Sequence, residues 1–406
     1  MKDNMKKNYL WNTIGALTIS LTSLVYTMIL TRTCSLDEVG LFSFGFSFAC
    51  MMITLASFGG RTYQVTDTRN EIKTSTYIIA RYITVIFSYL LVIIFLLFKN
   101  YSFQKLIIIL VLCIFKFLEE LSDVYYGIMQ KNKELYKVGQ FQFIKSIINV
   151  ILFFIGVRYI DNLITSIILI TINNMIFVFL IERTKSKQLE TWKFEFDKKQ
   201  IIKLLKINFF ICGYTFLSSY LINAPKYAID NYLSSDMQAM FNMLIMPATL
   251  MFLIGGFIVN PILVDIAEKH EENRISEIKS ILKKIFLLLT FFGIAALIGT
   301  YFLGTWALEI VYSISFKKYK FQLMLVILGA IFYTFTTIFG TIFIAFRKIK
   351  IQLFIALICC VVAYALSDVL VLKYGLIGGF YSYLITMIFR MLCYIPLLIN
   401  LFRREV

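Results

Sequence analysis

The sequence predicts an all-α membrane protein that crosses the bilayer about twelve times, and three observations lead to this prediction. Of its 406 residues, 59% are hydrophobic and 16% are charged, whereas a soluble domain averages about 25% charged residues. The mean hydropathy is +0.80. Apolar runs of roughly 20 residues, the length that a helix needs to cross the hydrocarbon core, recur along the whole chain.

Polar breaks divide these runs into twelve predicted helices, six on each side of a long charged break near the middle of the chain. In chain order, the predicted helices are Tyr9–Thr31, Val39–Gly60, Thr76–Phe98, Lys105–Gly127, Val138–Val157, Leu163–Ile181, Ile207–Tyr232, Met237–Val259, Ile281–Leu303, Phe321–Phe346, Ile351–Leu372 and Leu376–Leu401.

The N-terminal segment MKDNMKKNYLW leads directly into the first apolar run. This run is too long for the core of a signal peptide, so we expect it to remain as the first membrane helix. Lys and Arg are concentrated in alternate breaks, and basic breaks mark the cytoplasmic side. The sequence therefore predicts a multi-pass protein with both termini in the cytoplasm.

The charged break Glu182–Lys206 divides the predicted helices six and six. Ser35–Ser43, after the first helix, has a weak echo in Ser234–Asn242, after the seventh, with Ser, Asp and Phe at equivalent places. Two parallel six-helix halves are known from transporters, whose substrate sites lie between the halves. The predicted domains are an N-terminal lobe 1–182, a basic cytoplasmic linker 183–206 and a C-terminal lobe 207–406, with a central cavity between the lobes.

Several functional classes have little support. The net charge of +16 falls in breaks between apolar runs, which indicates topology rather than nucleic-acid binding. The seven cysteines show no C-x-x-C spacing and predict neither a zinc site nor a disulfide framework, and no G-x-x-x-x-G-K-[ST] loop is present. The one histidine, His270, lies in a charged loop rather than in a membrane helix. We therefore predict no enzyme activity, no cofactor and no metal.

Helix four carries four charges on one face. Lys116, Glu119, Glu120 and Asp123 are spaced three, four and seven residues apart and so share a side of the helix. One interpretation is a self-neutralising stripe that packs against a neighbouring helix. The other is a cavity wall whose carboxylates couple transport to an ion, since charges within a membrane face protein or water.

Further charges lie inside apolar runs in other helices. Lys145 on helix five and Arg390 on helix twelve lie deep, and each must face protein, water or an anionic ligand. Lys226 and Asp230, four residues apart on helix seven, either pair with each other or line a cavity and take part in ion coupling. Pro225 removes a backbone hydrogen bond beside Lys226 and favours a bend there.

Four segments resemble a known transporter family. They are TRTCSLDEVGLFSFGFSFACMMITLASFGGRTYQ, NAPKYAIDNYLSSDMQAMFN, FGTIFIAFRKIK and YGLIGGFYSYLITMIFR. They are similar to the first and second helices, the seventh-to-eighth helix turn, the break after helix ten and the start of helix twelve of Wzx-type polysaccharide flippases. These flippases belong to the multidrug/oligosaccharidyl-lipid/polysaccharide exporter superfamily.

The resemblance implies two six-helix lobes around a cationic cavity that works by alternating access in the bacterial cytoplasmic membrane. The implied cargo is an undecaprenyl-pyrophosphate-linked repeat unit of O-antigen or capsule, moved to the outer leaflet. The implied partners are this lipid-linked glycan, membrane lipid, a polysaccharide polymerase and a chain-length regulator. Arg61 or Arg69 could recruit the pyrophosphate. The candidate anion-binding residues are Lys226 first, then Arg61, Lys145, Arg390 and Lys116.

Two alternatives stay open. A sister exporter with another cargo, including a cation-coupled drug antiporter, would share the fold, although an excess of buried cations repels cationic drugs. A membrane polysaccharide polymerase would be a different class of protein, and the short outer loops disfavour it.

Overall fold

The computed structural model describes residues 2–67, 71–272, 274–346 and 348–404, and none of these residues lies in a strand. The chain divides into two compact units, Met1–Phe216 and Leu217–Val406. The division falls inside one long helix.

Unit one contains eight helices and the first half of a ninth. A π-helical segment, Phe177–Glu182, joins the seventh helix to the eighth without interruption. The helices are α1 (Lys2–Thr33), α2 (Leu36–Ser57), α3 (Gly60–Thr66), α4 (Thr74–Leu97), α5 (Phe103–Lys131), α6 (Leu135–Tyr159), α7 (Leu163–Ile176), α8 (Arg183–Leu189) and α9 (Lys198–Tyr232).

Unit two contains the rest of α9 and six further helices. A second π-helical segment, Thr300–Gly304, joins α11 to α12, and a short 3₁₀ turn, Lys317–Tyr319, precedes α13. These helices are α10 (Ser235–Glu271), α11 (Ile275–Gly299), α12 (Thr305–Tyr312), α13 (Lys320–Ala345), α14 (Ile349–Tyr374) and α15 (Leu376–Arg404). Within the unit, α13 packs on α10 and α15, and α14 packs on α15.

Local sequence explains several helix starts. Ser35 and Glu38 form a capping box at the start of α2, which satisfies backbone N–H groups that have no partner within the helix. Ser102 caps α5, and Asn162 Oδ1 accepts from the Thr165 N–H at 2.9 Å at the start of α7. The three caps fix where these helices begin.

α5 is the centre of unit one, where it contacts α2, α3, α4, α6 and α7. α1 packs along α6 through a close crossing at which glycine is required. A Cβ added at Gly139 of α6 would lie 2.0 Å from the Trp11 carbonyl oxygen of α1. The missing side chain lets the two backbones meet, as small residues do at helix interfaces in membranes.

The loop between α3 and α4 is anchored by one carboxylate. Asp67 Oδ1 accepts from the Glu71 N–H at 2.9 Å, while Oδ2 accepts from the Ile72 N–H at 3.1 Å and from the Tyr77 hydroxyl at 3.0 Å. Burial alone raises the pKa of Asp67, but these hydrogen bonds outweigh it and hold the pKa below its ordinary value.

The prediction of an all-α polytopic membrane protein is confirmed. Among the described residues, ten helices are long and apolar enough to cross a membrane. Two further long helices are α5 and α10, and α5 differs from the ten in its four central charges. Helix ends differ from the prediction at the break Glu182–Lys206, where helix continues to Leu189 and resumes at Lys198, and in α10, which continues to Glu271 instead of ending at Val259. The predicted lobe boundaries remain a prediction.

Candidate functional site

The charged face of α5 is both paired and open to a cavity. Lys116 Nζ lies 2.9 Å from Glu119 Oε2 one turn along the same helix. Glu120 and Asp123 pair instead with arginines from other helices. All four side chains line a cavity of about 180 Å³ inside unit one. The face is therefore paired, partly with other helices, and also forms a cavity wall, while its ion coupling stays a prediction.

Arg81 on α4 connects this face to the end of α2. Its Nη1 lies 2.5 Å from Glu120 Oε2, and its Nη2 lies 3.8 Å from Asp123 Oδ2. Nη1 also donates to the carbonyl oxygens of Ala56 at 3.2 Å and Ser57 at 2.6 Å. A cation at a helix C-terminus satisfies carbonyls that have no partner within the helix. Arg81, which is only 6% exposed, thus holds together three helices of unit one.

The chain turns sharply after α2, and Arg61 follows this turn. Phe58, Gly59 and Gly60 all have positive φ values, of 44°, 80° and 50°, a region that glycine enters without steric cost. Arg61 Nε then lies 3.6 Å from Asp123 Oδ1. Its Nη1 is buried and has no hydrogen-bond partner among the described residues.

Arg61 lines a second, larger cavity in unit one, of about 460 Å³. Glu120 and Asp123 line this cavity as well as the smaller one. A guanidinium with an unsatisfied N–H at a cavity wall can bind an anion. Arg69, the other predicted recruiter of pyrophosphate, lies outside the described residues.

Lys145 on α6 is buried in a compact polar cluster. Its Nζ lies 2.9 Å from Glu182 Oε1 and donates to Ser122 Oγ at 2.9 Å and to the Tyr126 hydroxyl oxygen at 3.2 Å. The Tyr126 hydroxyl in turn donates to Glu182 Oε1 at 2.6 Å. Glu182 is fully buried, at 0% exposure, and ends the π-helical segment. Segments of this kind often occur at functional sites.

Two asparagines, Asn149 and Asn174, extend the polar lining of the smaller cavity, and Asn173 is hydrogen-bonded to one of them. Asn149 Nδ2 donates to Asn174 Oδ1 at 2.9 Å, and Asn173 Nδ2 donates to Asn149 Oδ1 at 2.8 Å. Asn174 Nδ2 donates to the Phe115 carbonyl oxygen at 3.4 Å. These amides lie inside apolar runs, and that position is the signal that our sequence analysis did not use.

The remaining wall of the smaller cavity mixes aromatic rings with polar atoms. Tyr26 and Gln142 line it together with Phe46 and Phe115. The Tyr26 hydroxyl and Gln142 Oε1 are buried and have no hydrogen-bond partner among the described residues. The cavity therefore offers unsatisfied polar atoms beside apolar faces.

The other predicted site residues lie in unit two. Arg390 on α15 is 2% exposed, and its Nη2 donates to Ser218 Oγ at 3.2 Å. Its guanidinium carbon lies 5.4 Å from the centroid of the Tyr333 ring, within range of a cation–π interaction. Lys226 is 8% exposed and Asp230 is half-buried. Both lie on α9, which continues as a helix through Pro225.

The structure thus brings six of the nine predicted residues together in unit one and places three in unit two. The six are Arg61, Lys116, Glu119, Glu120, Asp123 and Lys145. Arg81 and Glu182 were not predicted to belong to the site, although both complete its ion pairs. Among the described residues, no group of three or more His, Cys, Asp or Glu side chains could hold a metal ion.

Comparison with known proteins adds a family. Residues 5–266 match the family model described as "Polysaccharide biosynthesis protein". The capsular polysaccharide biosynthesis protein CapF of Staphylococcus aureus is 22% identical over 382 residues, which are 92% of this chain and 94% of CapF.

Two similar solved structures show the fold. The lipid II flippase MurJ in an inward closed conformation has a TM-score of 0.73 at 17% identity, covering 100% of this chain and 90% of MurJ. An inward-facing MATE family multidrug resistance transporter of the MOP superfamily has a TM-score of 0.71 at 11% identity, covering 95% of each chain.

Proposed function

The chain belongs to the polysaccharide biosynthesis protein family, and on this premise we propose that it is a flippase for a lipid-linked oligosaccharide. The cargo is an undecaprenyl-pyrophosphate-linked repeat unit of O-antigen or capsule. The protein moves it from the cytoplasmic to the outer leaflet by alternating access. The observation that carries the proposal is the family match over residues 5–266.

Physical chemistry supports a protein route for such a cargo. A glycan carries many hydroxyl groups and a pyrophosphate carries charge, and neither enters hydrocarbon without a large desolvation cost. A membrane protein with buried polar clusters offers replacement partners for these groups. No covalent bond changes during this process, so the proposed function needs no catalytic residue.

The predicted cations differ in how much charge they offer an anion. Lys116 and Lys145 each lie 2.9 Å from a carboxylate oxygen, which neutralises much of their field. Arg61 keeps an unsatisfied Nη1 at a cavity wall. We propose that Arg61, Arg390 and Lys226 bind the pyrophosphate, with Lys226 foremost because it lies in a segment, NAPKYAIDNYLSSDMQAMFN, that resembles the Wzx-type flippases.

Four carboxylates are the candidates for ion coupling. In unit one, Glu119, Glu120 and Asp123 each lie near a cation at a cavity wall. Protonation of any of them releases its cation, and a Na⁺ ion would compete with that cation for the carboxylate. Asp230 is the corresponding candidate in unit two. Coupling to a proton or Na⁺ gradient remains a proposal for all four.

The proposed setting is the bacterial cytoplasmic membrane, with both termini in the cytoplasm. A polysaccharide polymerase and a chain-length regulator would act on the product at the outer leaflet. The alternative of a drug antiporter shares the fold of the MATE transporter, but the fold alone does not favour that cargo. The alternative of a polymerase has no supporting site among the described residues.

The test uses purified protein in liposomes that carry a fluorescent polyprenyl-pyrophosphate oligosaccharide. An impermeant quencher reports how much label changes leaflet. We expect exchange that requires the protein and that responds to Lys226→Ala. A hydrogen bond to a charged group contributes about 1.5–3 kcal/mol, so the half-saturating concentration should rise about 10- to 150-fold.

Two control variants separate the roles of Lys226. Lys284→Ala removes the same charge from an exposed position on α11 and should leave exchange unchanged. Lys226→Ala combined with Asp230→Asn is compared with Asp230→Asn alone: equal exchange means that Lys226 only neutralises Asp230, and lower exchange by the double variant means that Lys226 binds the cargo. Absence of any exchange by the wild type, with and without an ion gradient, contradicts the flippase function.

A further inference from the structure

The smaller cavity of unit one is close to electrically neutral. Every charged group on its wall meets an opposite charge, either on the wall or directly behind it. Among the described residues, four cations and four carboxylates take part: Lys116, Lys145, Arg61 and Arg81 with Glu119, Glu120, Asp123 and Glu182. An anion entering the cavity would gain little net attraction and would lose its hydration.

The same cavity is rich in neutral hydrogen-bonding groups. The Tyr26 hydroxyl and Gln142 Oε1 lack partners among the described residues, although Tyr26 is fully buried, at 0% exposure. Buried polar groups normally find partners, so such exceptions need an explanation. Ser146, Asn149 and Asn174 add a hydroxyl and two amides to the wall.

The cavity is large enough for a small polar ligand. Its volume of about 180 Å³ is many times the roughly 10–15 Å³ that a single water molecule needs, so one pyranose ring with its hydroxyl groups can enter. The Phe46 ring, which is only partly buried, contributes apolar surface for the C–H groups of a sugar.

We propose that this cavity is a subsite for a single uncharged sugar ring of the cargo, while the pyrophosphate binds elsewhere, at the larger cavity that Arg61 lines and in unit two. This inference rests on the proposed function, because it identifies which part of the lipid-linked glycan enters unit one. Sugar hydroxyls both donate and accept, so they can satisfy the Tyr26 hydroxyl and the Gln142 carbonyl together. Few, precisely placed polar groups in a concave site provide this kind of specificity.

The test measures sugar binding without transport. Purified full-length protein is heated in detergent with the methyl glycosides of a neutral hexose, an N-acetylhexosamine and a 6-deoxyhexose, and separately with inorganic pyrophosphate. A ligand that binds the folded state raises the unfolding temperature. We expect at least one glycoside to do so.

Three variants localise the binding. Tyr26→Phe removes one hydroxyl group and should weaken the glycoside about 3- to 10-fold, the range of one neutral hydrogen bond. Thr22→Phe fills the cavity from α1 and should abolish the glycoside response. Tyr383→Phe is the matched control, because Tyr383 is also fully buried with no described partner for its hydroxyl but lies in unit two. It should leave the response intact.

The outcomes separate the subsite from the transport function. The inference is overturned if no glycoside stabilises the wild type, which means that the cavity holds only water, or if Tyr26→Phe and Tyr383→Phe behave alike. Glycoside binding without leaflet exchange supports the subsite and contradicts the flippase. Leaflet exchange without glycoside binding supports the flippase function and contradicts the subsite. With both present, Tyr26→Phe should slow exchange of the glycan-bearing lipid but not of sugar-free polyprenyl pyrophosphate.

Discussion

The buried Lys145–Glu182 pair gives the sharpest prediction for stability. In Lys145→Met, Glu182 keeps its fully buried position and loses its only cation among the described contacts. The hydrogen bond from Tyr126 remains, but it does not compensate a full charge. Removing one member of a buried ion pair costs about 3–5 kcal/mol because the other charge stays buried without compensation. We therefore expect Lys145→Met to destabilise unit one by this amount.

The double variant Lys145→Met with Glu182→Met should recover most of the loss. Both charges then disappear, and replacing a buried pair by apolar residues of similar volume is often neutral or stabilising. The two single changes should therefore be strongly non-additive, as expected for residues in direct contact. Lys203→Ala is the control, because Lys203 and Glu71 form an exposed pair with side chains 52% and 51% accessible, for which about 0–1 kcal/mol is expected.

The assay is thermal unfolding of purified protein, followed by the fraction that remains monodisperse after heating. The expected order of stability places wild type and Lys203→Ala together, the double variant slightly below or above them, and Lys145→Met well below. The reasoning is refuted if Lys145→Met costs no more than Lys203→Ala. It is also refuted if the double variant loses the sum of the two single losses.

Two further predictions concern packing and pH. Gly139→Ala should lower the free energy of unfolding by about 1–3 kcal/mol, because it overpacks the α1–α6 crossing against the Trp11 carbonyl. Gly299→Ala is the control, since its added Cβ meets nothing within 4 Å. It should be neutral or slightly stabilising in the same unfolding assay. Asp67→Asn should lower stability at neutral pH, because a lowered carboxyl pKa stabilises the fold above the unfolded pKa of about 3.9. Measured unfolding temperatures of wild type and Asp67→Asn should converge as the pH falls below that value, and a constant difference would contradict the role of this carboxylate.

The helical spacing on α5 predicted more of the site than any other pattern. Positions 116, 119, 120 and 123 share a face by geometry alone, because 3.6 residues make one turn. A helix face with four charges is not expected to contact lipid. The spacing therefore also predicts that this face lies against protein or a cavity. The spacing could not predict that Glu120 and Asp123 pair with Arg81, because Arg81 lies on α4 and the two helices meet only after folding.

Two residues of the site, Arg81 and Glu182, were not predicted from the sequence. Arg81 lies inside the predicted third helix, yet no sequence pattern indicated a partner for its charge. Glu182 is the first charge after a long apolar run, and the sequence pattern indicates only that it begins the charged break Glu182–Lys206. The π-helical segment carries the helix past this point and buries the carboxylate beside Lys145. Only the contacts between helices show whether a charge at the end of an apolar run lies in a loop or is buried in an ion pair.

The ion pairs of α5 also have a consequence for how the chain is made. On insertion scales each charge at a helix centre costs about 2.5–3.5 kcal/mol, so four such residues oppose the partitioning of α5 as an isolated segment. Arg61 and Arg81 precede α5 in the chain, so both arginines leave the ribosome before Glu120 and Asp123 arrive. Lys145 is synthesised before Glu182, so this lysine gains its carboxylate partner only when the later segment has been made. We infer that the first half of this protein enters the membrane as a cooperative group, in which the order of synthesis supplies most of the counter-charges in advance.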